Sequence, residues 1–427
     1  MTILIKNILL NNQTTDIFID GNTFSKIEPN INIPADTVID GSRKAILPAF
    51  YNTHTHAAMS VLKGLGDDKP LFDWLNQDIW PIESLLSPDD IYDATRLAIL
   101  EMIKTGTVFF SDMYWFMEKS IQAVCEMGIR AAVSLVQFDL FDEEAARKKK
   151  EMALDFYNQP NPCPERIVKS ISCHAVYTVS EDLFKWTAEF ARKNDLFIHI
   201  HASETAKEVE DCFAKYGKSP IEKLEEWNLL GPKTILAHAI HLSEKDIEIL
   251  NRHEVSLATN PASNMKLCSG LFKFEKLLKS HCNLTLGTDG SASNNNLSML
   301  EEMKLCSLAA KIESMDASAG KAQDIFRIAT RNGAQAFGLN AGIIEEKALA
   351  DCILVDLDNV FLTPDYNLIS NIVYASDSSC ITDVLCNGQI LMRNRIIKDE
   401  KEIIKKAQKL SGKIRELKKK AQEEQKK

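Results

Sequence analysis

The chain has 427 residues, 45% of them hydrophobic, which is enough to bury a large core. Its formal net charge of −10 argues against a nucleic-acid surface, because duplex binding depends on neutralising phosphates. No apolar run is long enough to span a bilayer, so we expect no membrane partner. The ten cysteines include no CxxC pair and the first residues carry no secretory signal, which predicts reduced thiols in a cytoplasmic protein.

Both ends of the chain predict short β-strands. Residues 1–44 alternate weakly between polar and apolar side chains, with a turn at Asp20-Gly21-Asn22. Residues 346–400 contain an apolar run, 350–355, and a hairpin about Asn387-Gly388, a favoured two-residue turn. We expect these two segments to form one small β-sandwich domain.

The middle of the chain, residues 45–345, alternates short apolar runs with helical patterns. One helix is predicted from Asp89 to Lys104, ending at Gly106, and a capping box at Ser243 predicts the start of another. Eight strands are predicted: Ala45–Thr53, Thr107–Asp112, Ile129–Val136, Ile167–Cys173, Leu196–His201, Thr234–His238, Glu254–Thr259 and Asn283–Asp289. Eight β/α units predict an α/β fold, a (β/α)8 TIM barrel. Beyond it, residues 401–427 predict a helical tail with one packed stripe.

Histidines concentrate where the predicted barrel strands end. The carboxyl ends of barrel strands converge on one face, which carries the active site. Six of the nine histidines and one aspartate fall there: His54, His56, His174, His199, His201, His238 and Asp289. A single HxH pair is commonly solvent-exposed, but chance placement would have spread so many histidines over helices and loops. The pattern therefore predicts a metal site.

Nitrogen and carboxylate ligands suit zinc, with iron(II), manganese and cobalt as alternatives. His54, His56, His201 and Asp289 are assigned as ligands of one divalent ion, because alternate residues of a strand face the same way. His199 lies one layer deeper and is expected to pack behind them. The mouth of the fourth strand has no lysine, since Lys169 sits at its other end, and we expect one metal rather than two.

Three residues are candidates for proton transfer beside the ion. Asp289 can accept a proton from water, and His238 can hydrogen-bond the same water. The alternative for His238 is a satisfied core histidine. Glu204 follows the fifth strand and can reach a substrate nitrogen. The same position also suits a carboxylate that interacts favourably with the dipole of a helix N-terminus.

The chain resembles the amidohydrolase superfamily, and more narrowly its 5'-methylthioadenosine/S-adenosylhomocysteine deaminases. Four segments carry the resemblance: 48–56 (PAFYNTHTH), 201–205 (HASET), 260–267 (NPASNMKL) and 287–295 (GTDGSASNN). It implies one divalent metal and hydrolytic deamination of adenine nucleosides, including 5'-methylthioadenosine, S-adenosylhomocysteine, 5'-deoxyadenosine and adenosine. By the same resemblance Glu83, His174, Glu204 and Asp289 contact substrate, with Glu83 on the ribose hydroxyls and Glu204 as proton shuttle.

Several alternatives stay open from the sequence. Arg147 matches a family arginine that contacts the 5' group, or belongs to a solvated charge run. The aromatic segment 71–80 can stack on a purine or simply pack. The same site would also suit another aminated heterocycle, such as guanine, a pterin, a triazine or aminodeoxyfutalosine, and a non-catalytic metal-binding scaffold is a third reading. A monomer and a homo-oligomer are both compatible with the chain.

Overall fold

The computed structural model describes residues 1–424, with side chains up to residue 419. Their β-strands form two eight-stranded sheets. In chain order the strands are β1 (Thr2–Leu10), β2 (Gln13–Asp20), β3 (Thr23–Glu28), β4 (Thr37–Asp40), β5 (Lys44–Pro48), β6 (Phe50–Thr55), β7 (Thr107–Tyr114), β8 (Arg130–Gln137), β9 (Ile167–Cys173), β10 (Phe197–Ala202), β11 (Thr234–His238), β12 (Ser256–Thr259), β13 (Asn283–Leu286), β14 (Cys352–Asp356), β15 (Ile381–Cys386) and β16 (Gln389–Met392).

Strands β6 to β13 form the predicted parallel barrel, each beside the next in chain order. Every residue of β7 and β8 is buried, as expected for a parallel sheet enclosed by helices. The barrel closes between its last and first strands, where the N–H groups of Thr288 and Asp289 donate to the His54 carbonyl at 3.1 and 3.0 Å. Closure therefore brings Asp289 against the first histidine of the HxH pair.

Seven predicted barrel strands agree with the structure, with shifts of up to three residues at an end. The prediction of a single strand over Ala45–Thr53 is wrong. Lys44–Pro48 pairs with β14 in the other sheet, and the barrel strand begins at Phe50. The chain passes from one sheet to the other at Ala49. The Ala49 N–H donates to the Asp351 carbonyl, whereas the Phe50 N–H donates to the Gly106 carbonyl.

The terminal segments form the second sheet, as predicted. Its order is β16-β15-β14-β5-β1-β2-β3, with β4 beside β1. Both ends of the chain contribute side chains to one buried apolar cluster, so the two terminal segments pack against each other. Its members include Ile3, Ile5, Ile17, Phe24, Leu354 and Leu385. The predicted hairpin turns at Asn387 and Gly388, whose φ angles of 54° and 67° are those a type I′ turn requires.

Helices surround the barrel and cap its ends. They are α1 (Leu71–Trp74), α2 (Trp80–Glu83), α3 (Pro88–Lys104), α4 (Met117–Met127), α5 (Glu143–Asn158), α6 (Glu181–Lys193), α7 (Ala206–Tyr216), α8 (Pro220–Glu226), α9 (Glu244–His253), α10 (Pro261–Lys266), α11 (Phe274–Leu278), α12 (Ser291–Asn294), α13 (Met299–Ser314), α14 (Ala322–Ala329), α15 (Arg331–Ala336), α16 (Leu368–Tyr374) and α17 (Glu400–Glu424). Short 3-10 turns span Ala57–Leu62, Val360–Leu362 and Ser378–Cys380, and a π-helical turn, Leu75–Ile79, joins α1 to α2.

Two sequence signals for helix ends are confirmed. Helix α3 ends just before Gly106, whose φ of +87° stops the helix. The Ser243 side chain accepts a bond from the Asp246 N–H at 3.1 Å, and the Asp246 carboxylate accepts from the Ser243 N–H at 2.8 Å, so the predicted capping box opens α9.

The predicted C-terminal tail is helical as far as the structure describes it, and residues 425–427 of that prediction lie outside the described range. Its packed stripe consists of Ile403, Ala407, Leu410 and Ile414. Among the described helices, none is both long and apolar enough to cross a membrane.

Cys125 of α4 and Cys163, which precedes β9, form a disulfide. The prediction that the cysteines are reduced is therefore wrong for these two. They are 38 residues apart in the chain, but neighbouring β/α units bring their Cα atoms to 6.0 Å. Such a pairing depends on the tertiary fold and leaves no signal in the spacing. The remaining eight cysteines are free thiols.

Candidate active site

The four predicted metal ligands meet at the carboxyl ends of the barrel strands. His54 and His56 lie at the end of β6, His201 lies near the end of β10, and Asp289 follows β13. The Oδ1 atom of Asp289 is 3.4 Å from His54 Nε2 and 3.3 Å from His56 Nε2. The Nε2 atoms of His201 and His56 are 3.3 Å apart. The structure thus gathers side chains that are up to 235 positions apart in sequence.

The other ring nitrogen of each histidine is held by the protein. His56 Nδ1 bonds the Met113 carbonyl and His201 Nδ1 bonds the His174 carbonyl, each at 2.8 Å. His54 Nδ1 lies 2.9 Å from Nε2 of His199, the histidine predicted to pack behind the ligands. Each imidazole therefore turns Nε2 toward the same point, as a metal ligand requires.

These side chains fit a divalent metal ion. Ligands at zinc-like distances of about 2.0–2.1 Å around a tetrahedral ion stand about 3.3 Å from one another. Three of the six pairs of ligand atoms, Asp289–His54, Asp289–His56 and His56–His201, are 3.4, 3.3 and 3.3 Å apart. The fully buried His54 Nε2 has no hydrogen-bond partner among the described residues. A buried imidazole nitrogen without a partner is costly, and a bound cation would satisfy it.

A network of hydroxyl and amide groups fixes the Asp289 carboxylate. Its Oδ2 accepts bonds from Ser263 at 2.6 Å and Ser293 at 3.1 Å, and its Oδ1 accepts from the Gly290 N–H at 2.8 Å. Asp289 has a left-handed φ of 59°, which turns Oδ1 toward His54 and His56. The segments 260–267 and 287–295, quoted above for their resemblance, therefore act together to aim this carboxylate.

His238 and Glu204 lie beside the cluster. Nδ1 of His238 bonds the Asn264 side chain at 2.8 Å, and its Nε2 is 3.9 Å from a carboxylate oxygen of Glu204. Glu204 also accepts a bond from Ser269 at 3.2 Å. Burial raises the pKa of Glu204, and the negative charge of Asp289 raises it further, while His238 opposes the shift. A carboxyl group with a raised pKa is suited to donating a proton near neutral pH.

These groups form the floor of a cavity of about 440 Å³ at the mouth of the barrel. The walls are mostly apolar and aromatic, as is typical of small-molecule sites. Trp74, Leu75 and Trp80 from the aromatic segment 71–80 line it, so that segment covers the site. His174 is in the same wall, its Nδ1 bonded to Thr178 at 2.8 Å, and burial lowers its pKa to about 3.

Glu83 projects into the cavity from α2. It is 2% exposed, and burial raises the pKa of its carboxyl to about 7. The Tyr114 hydroxyl donates a hydrogen bond to the same carboxylate and opposes that shift. The predicted substrate contact therefore presents a buried acceptor that one protein donor satisfies only in part. The sequence alone did not identify Tyr114, which lies close to Glu83 only because β7 and α2 meet in the fold.

The structure settles the position of Arg147. Its guanidinium is exposed on α5 and pairs with Glu144 at 2.6 Å and with Glu151, as in the solvated charge run. Lys149, two residues later, lines the cavity instead. Burial lowers the pKa of Lys149, and no ion pair or hydrogen bond with residues 1–419 involves its ammonium. Sequence reasoning missed this lysine.

The barrel, its terminal sheet and the histidine and aspartate cluster define a metal-dependent hydrolase of the amidohydrolase class. Residues 45–391 match the amidohydrolase family, and the chain belongs to that family. The resemblance found in the sequence is thereby confirmed.

Among its relatives, a protein of Archaeoglobus fulgidus named 5-methylthioadenosine/S-adenosylhomocysteine deaminase 1 is 42% identical over 90% of this chain and 91% of its own length. A protein of Methanoregula boonei named 5'-deoxyadenosine deaminase is also 42% identical, over 95% of this chain and 93% of its own. A zinc-bound structure of an adenosine deaminase from Xanthomonas campestris superposes with a TM-score of 0.89 at 30% identity, covering 97% of this chain and 98% of that one.

Proposed function

We propose that this protein hydrolyses the 6-amino group of adenine nucleosides, with 5'-methylthioadenosine, S-adenosylhomocysteine, 5'-deoxyadenosine and adenosine as candidate substrates. The products are the inosine analogue and ammonia. One observation carries the proposal: a single cavity has a metal-ligand cluster with Glu204 and His238 at its floor and the buried Glu83 in its wall. That arrangement offers one set of groups to a base and another to a ribose. The names of the relatives support the same substrate class.

We assign the metal as one zinc ion held by His54, His56, His201 and Asp289, with iron(II), manganese and cobalt as alternatives. Within the described residues, Lys169 lines a different cavity, so the fourth strand brings no lysine to a second ion. A bound divalent ion supplies Lewis acidity, which lowers the pKa of a water toward neutrality.

Three side chains move the protons. Asp289 and His238 orient the attacking water, and Asp289 accepts its proton as oxygen adds to C6 of the purine. Glu204 donates a proton to the neighbouring ring nitrogen, which carries the electron pair displaced from the C6–N1 bond. Asp289 then passes the proton it took from water to the amino group. The bond between C6 and the amino nitrogen breaks as the C6 hydroxyl becomes the carbonyl, the hydroxyl proton returns to Glu204, and ammonia leaves. Water supplies the oxygen of the product, so no oxidant or other co-reactant is needed.

Glu83 and Lys149 bind the rest of the nucleoside in this proposal. An ionised carboxylate can accept bonds from both hydroxyls of a ribose, and Glu83 retains acceptor capacity beyond its bond from Tyr114. Lys149 lines the same cavity without an ion-pair or hydrogen-bond partner among residues 1–419, so its ammonium suits a 5' substituent that carries an acceptor or a negative charge. His174 and the tryptophans of segment 71–80 supply the apolar surface for the base.

The test is a substrate panel with the metal-loaded protein. We expect ammonia release and conversion of adenine to hypoxanthine with at least one of the four nucleosides. Glu83→Gln should raise the KM for nucleosides, because the amide accepts fewer hydroxyl bonds than the carboxylate. Guanine and a pterin, which lack a ribose, serve as the control panel. Turnover of a free base with no turnover of any nucleoside would contradict the proposal.

A further inference from the structure

The C-terminal helix α17 is fixed along the outer side of α3. Its buried stripe of Ile403, Ala407, Leu410 and Ile414 has the spacing of one helical face. Ion pairs flank the stripe, with Glu402 2.9 Å from Arg96 and Lys406 3.7 Å from Asp93, both partners lying on α3. The position of the helix is therefore set by packing as well as charge.

The far end of α17 reaches the segment that covers the active site. We call residues 65–84 the cover segment, because Leu71, Trp74, Leu75, Trp80 and Glu83 from it line the cavity. Lys418 Nζ donates to the carbonyl of Leu65 at 2.6 Å and lies 3.2 Å from Oδ1 of Asp78. One side chain of the tail thus bonds both the start and the middle of the cover segment.

Asp78 is a buried carboxylate on the outer side of the cover segment. It is 6% exposed, and Lys69 of the same segment binds its other oxygen at 2.5 Å. Gly66 packs so closely on Asp78 that a Cβ at that position would stand 2.6 Å from the Asp78 Cβ. Two lysines therefore compensate one buried charge, and removing either leaves it poorly paired.

We propose that α17 positions the substrate-binding cover of this enzyme, with Lys418 as the positioning residue that holds residues 65–84 against the barrel mouth. If the cover segment is already ordered before substrate arrives, substrate binding does not have to provide the free energy for ordering it. Glu83 belongs to the cover segment, whereas the proposed metal ligands lie on barrel strands and on the loops that follow them. Loss of the Lys418 contact therefore weakens substrate binding and leaves the metal site intact. Only the choice of substrate rests on the proposed function.

The experiment compares Lys418→Met with Lys406→Met, a matched lysine on the same helix whose partners, Glu402 and Asp93, both lie outside the cover segment. In substrate-free protein we expect hydrogen exchange of residues 65–84 to accelerate about tenfold in Lys418→Met, the size expected for one charged hydrogen bond, and to stay unchanged in Lys406→Met. Lys418→Arg should restore slow exchange. Asp78→Asn, a second route to the same contact, should reproduce the effect of Lys418→Met.

Kinetics supply the second readout. We expect the KM for the best nucleoside to rise about tenfold in Lys418→Met, with kcat within about twofold and metal content unchanged. Unchanged exchange of the cover in both Lys418→Met and Asp78→Asn, an equal acceleration in Lys406→Met, or an unchanged KM would overturn the proposal. If the wild-type protein deaminates no nucleoside, the proposed function fails, and the exchange comparison still decides whether α17 holds the cover.

Discussion

Nε2 of His199 lies 2.9 Å from Nδ1 of His54 deep in the barrel, and the Ser111 hydroxyl lies 3.1 Å from the other nitrogen of His199. The fully buried His199 therefore sets the ring orientation of His54, one of the four residues proposed to hold the metal. Such a contact would favour metal binding by His54, because its ring is already turned toward the proposed site before an ion binds.

Replacing His199 should weaken the metal site. We expect His199→Gln to lower metal affinity by about 10- to 100-fold, measured by competition with a chelator, because His54 loses its orienting partner. His253→Gln is the matched control, since that half-buried histidine pairs with Glu225 far from the barrel mouth. Wild-type affinity in His199→Gln would show that the contact does not orient the ligand.

Glu83 predicts how substrate binding depends on pH. Its carboxyl has a pKa raised by burial to about 7, so it is neutral below that pH and ionised above it. Only the ionised form accepts bonds from both ribose hydroxyls at full strength. The KM for nucleosides should therefore fall as pH rises through about 7.

Tyr114 provides the control for that assignment. Its hydroxyl bond favours the ionised form of Glu83, so Tyr114→Phe should raise the carboxyl pKa and move the KM transition to higher pH. Tyr177→Phe removes a hydroxyl from the same cavity without touching that bond and should leave the transition where it is. A transition at the same pH in Tyr114→Phe and wild type would rule out Glu83 as its source.

His238 should matter for turnover more than for metal binding. His238→Asn is expected to lower kcat by about 100-fold or more, and Asn264→Leu by about tenfold, because Asn264 holds the ring. Metal content should stay at the wild-type level in both, and His281→Asn, at an exposed histidine, should change neither quantity. Loss of metal in parallel with activity would instead make His238 a ligand.

Lys149 should distinguish substrates by their 5' group. Lys149→Met is expected to raise the KM for S-adenosylhomocysteine, which carries a carboxylate, about tenfold and to spare 5'-deoxyadenosine. Arg147→Met, two residues away on the outer face of α5, should alter neither KM. An equal loss for both substrates in Lys149→Met would mean that the lysine acts on the shared part of the nucleoside.

Much of the metal cluster could be predicted because it follows simple periodicities. His54 and His56 share a strand face, and parallel strands in a barrel end at the same edge. The position of His199 behind the ligands follows from the same rule, since it lies two residues before His201. These inferences need only strand identity and order, and they tolerate the errors of a few residues that occurred at strand ends.

The remaining site residues depend on geometry that the sequence does not encode locally. Residues two positions apart on a helix point in directions that differ by about 200°. Arg147 therefore faces solvent while Lys149 faces the cavity, and an alignment error of two residues selects the wrong one. Tyr114 meets Glu83, and Cys125 meets Cys163, only after separate units have packed. The division of Ala45–Thr53 between two sheets likewise reflects pairing with β14, a strand some 300 residues later.

Metal titration of the apoprotein tests the central claim most directly, because every proposed role depends on one ion at His54, His56, His201 and Asp289. We expect no ammonia release from adenine nucleosides after chelation, and activity that returns with added zinc and saturates at one equivalent per chain. Asp289→Asn should not recover activity at any zinc concentration. Full ammonia release without metal, or activity that still rises between one and two equivalents, would contradict this account.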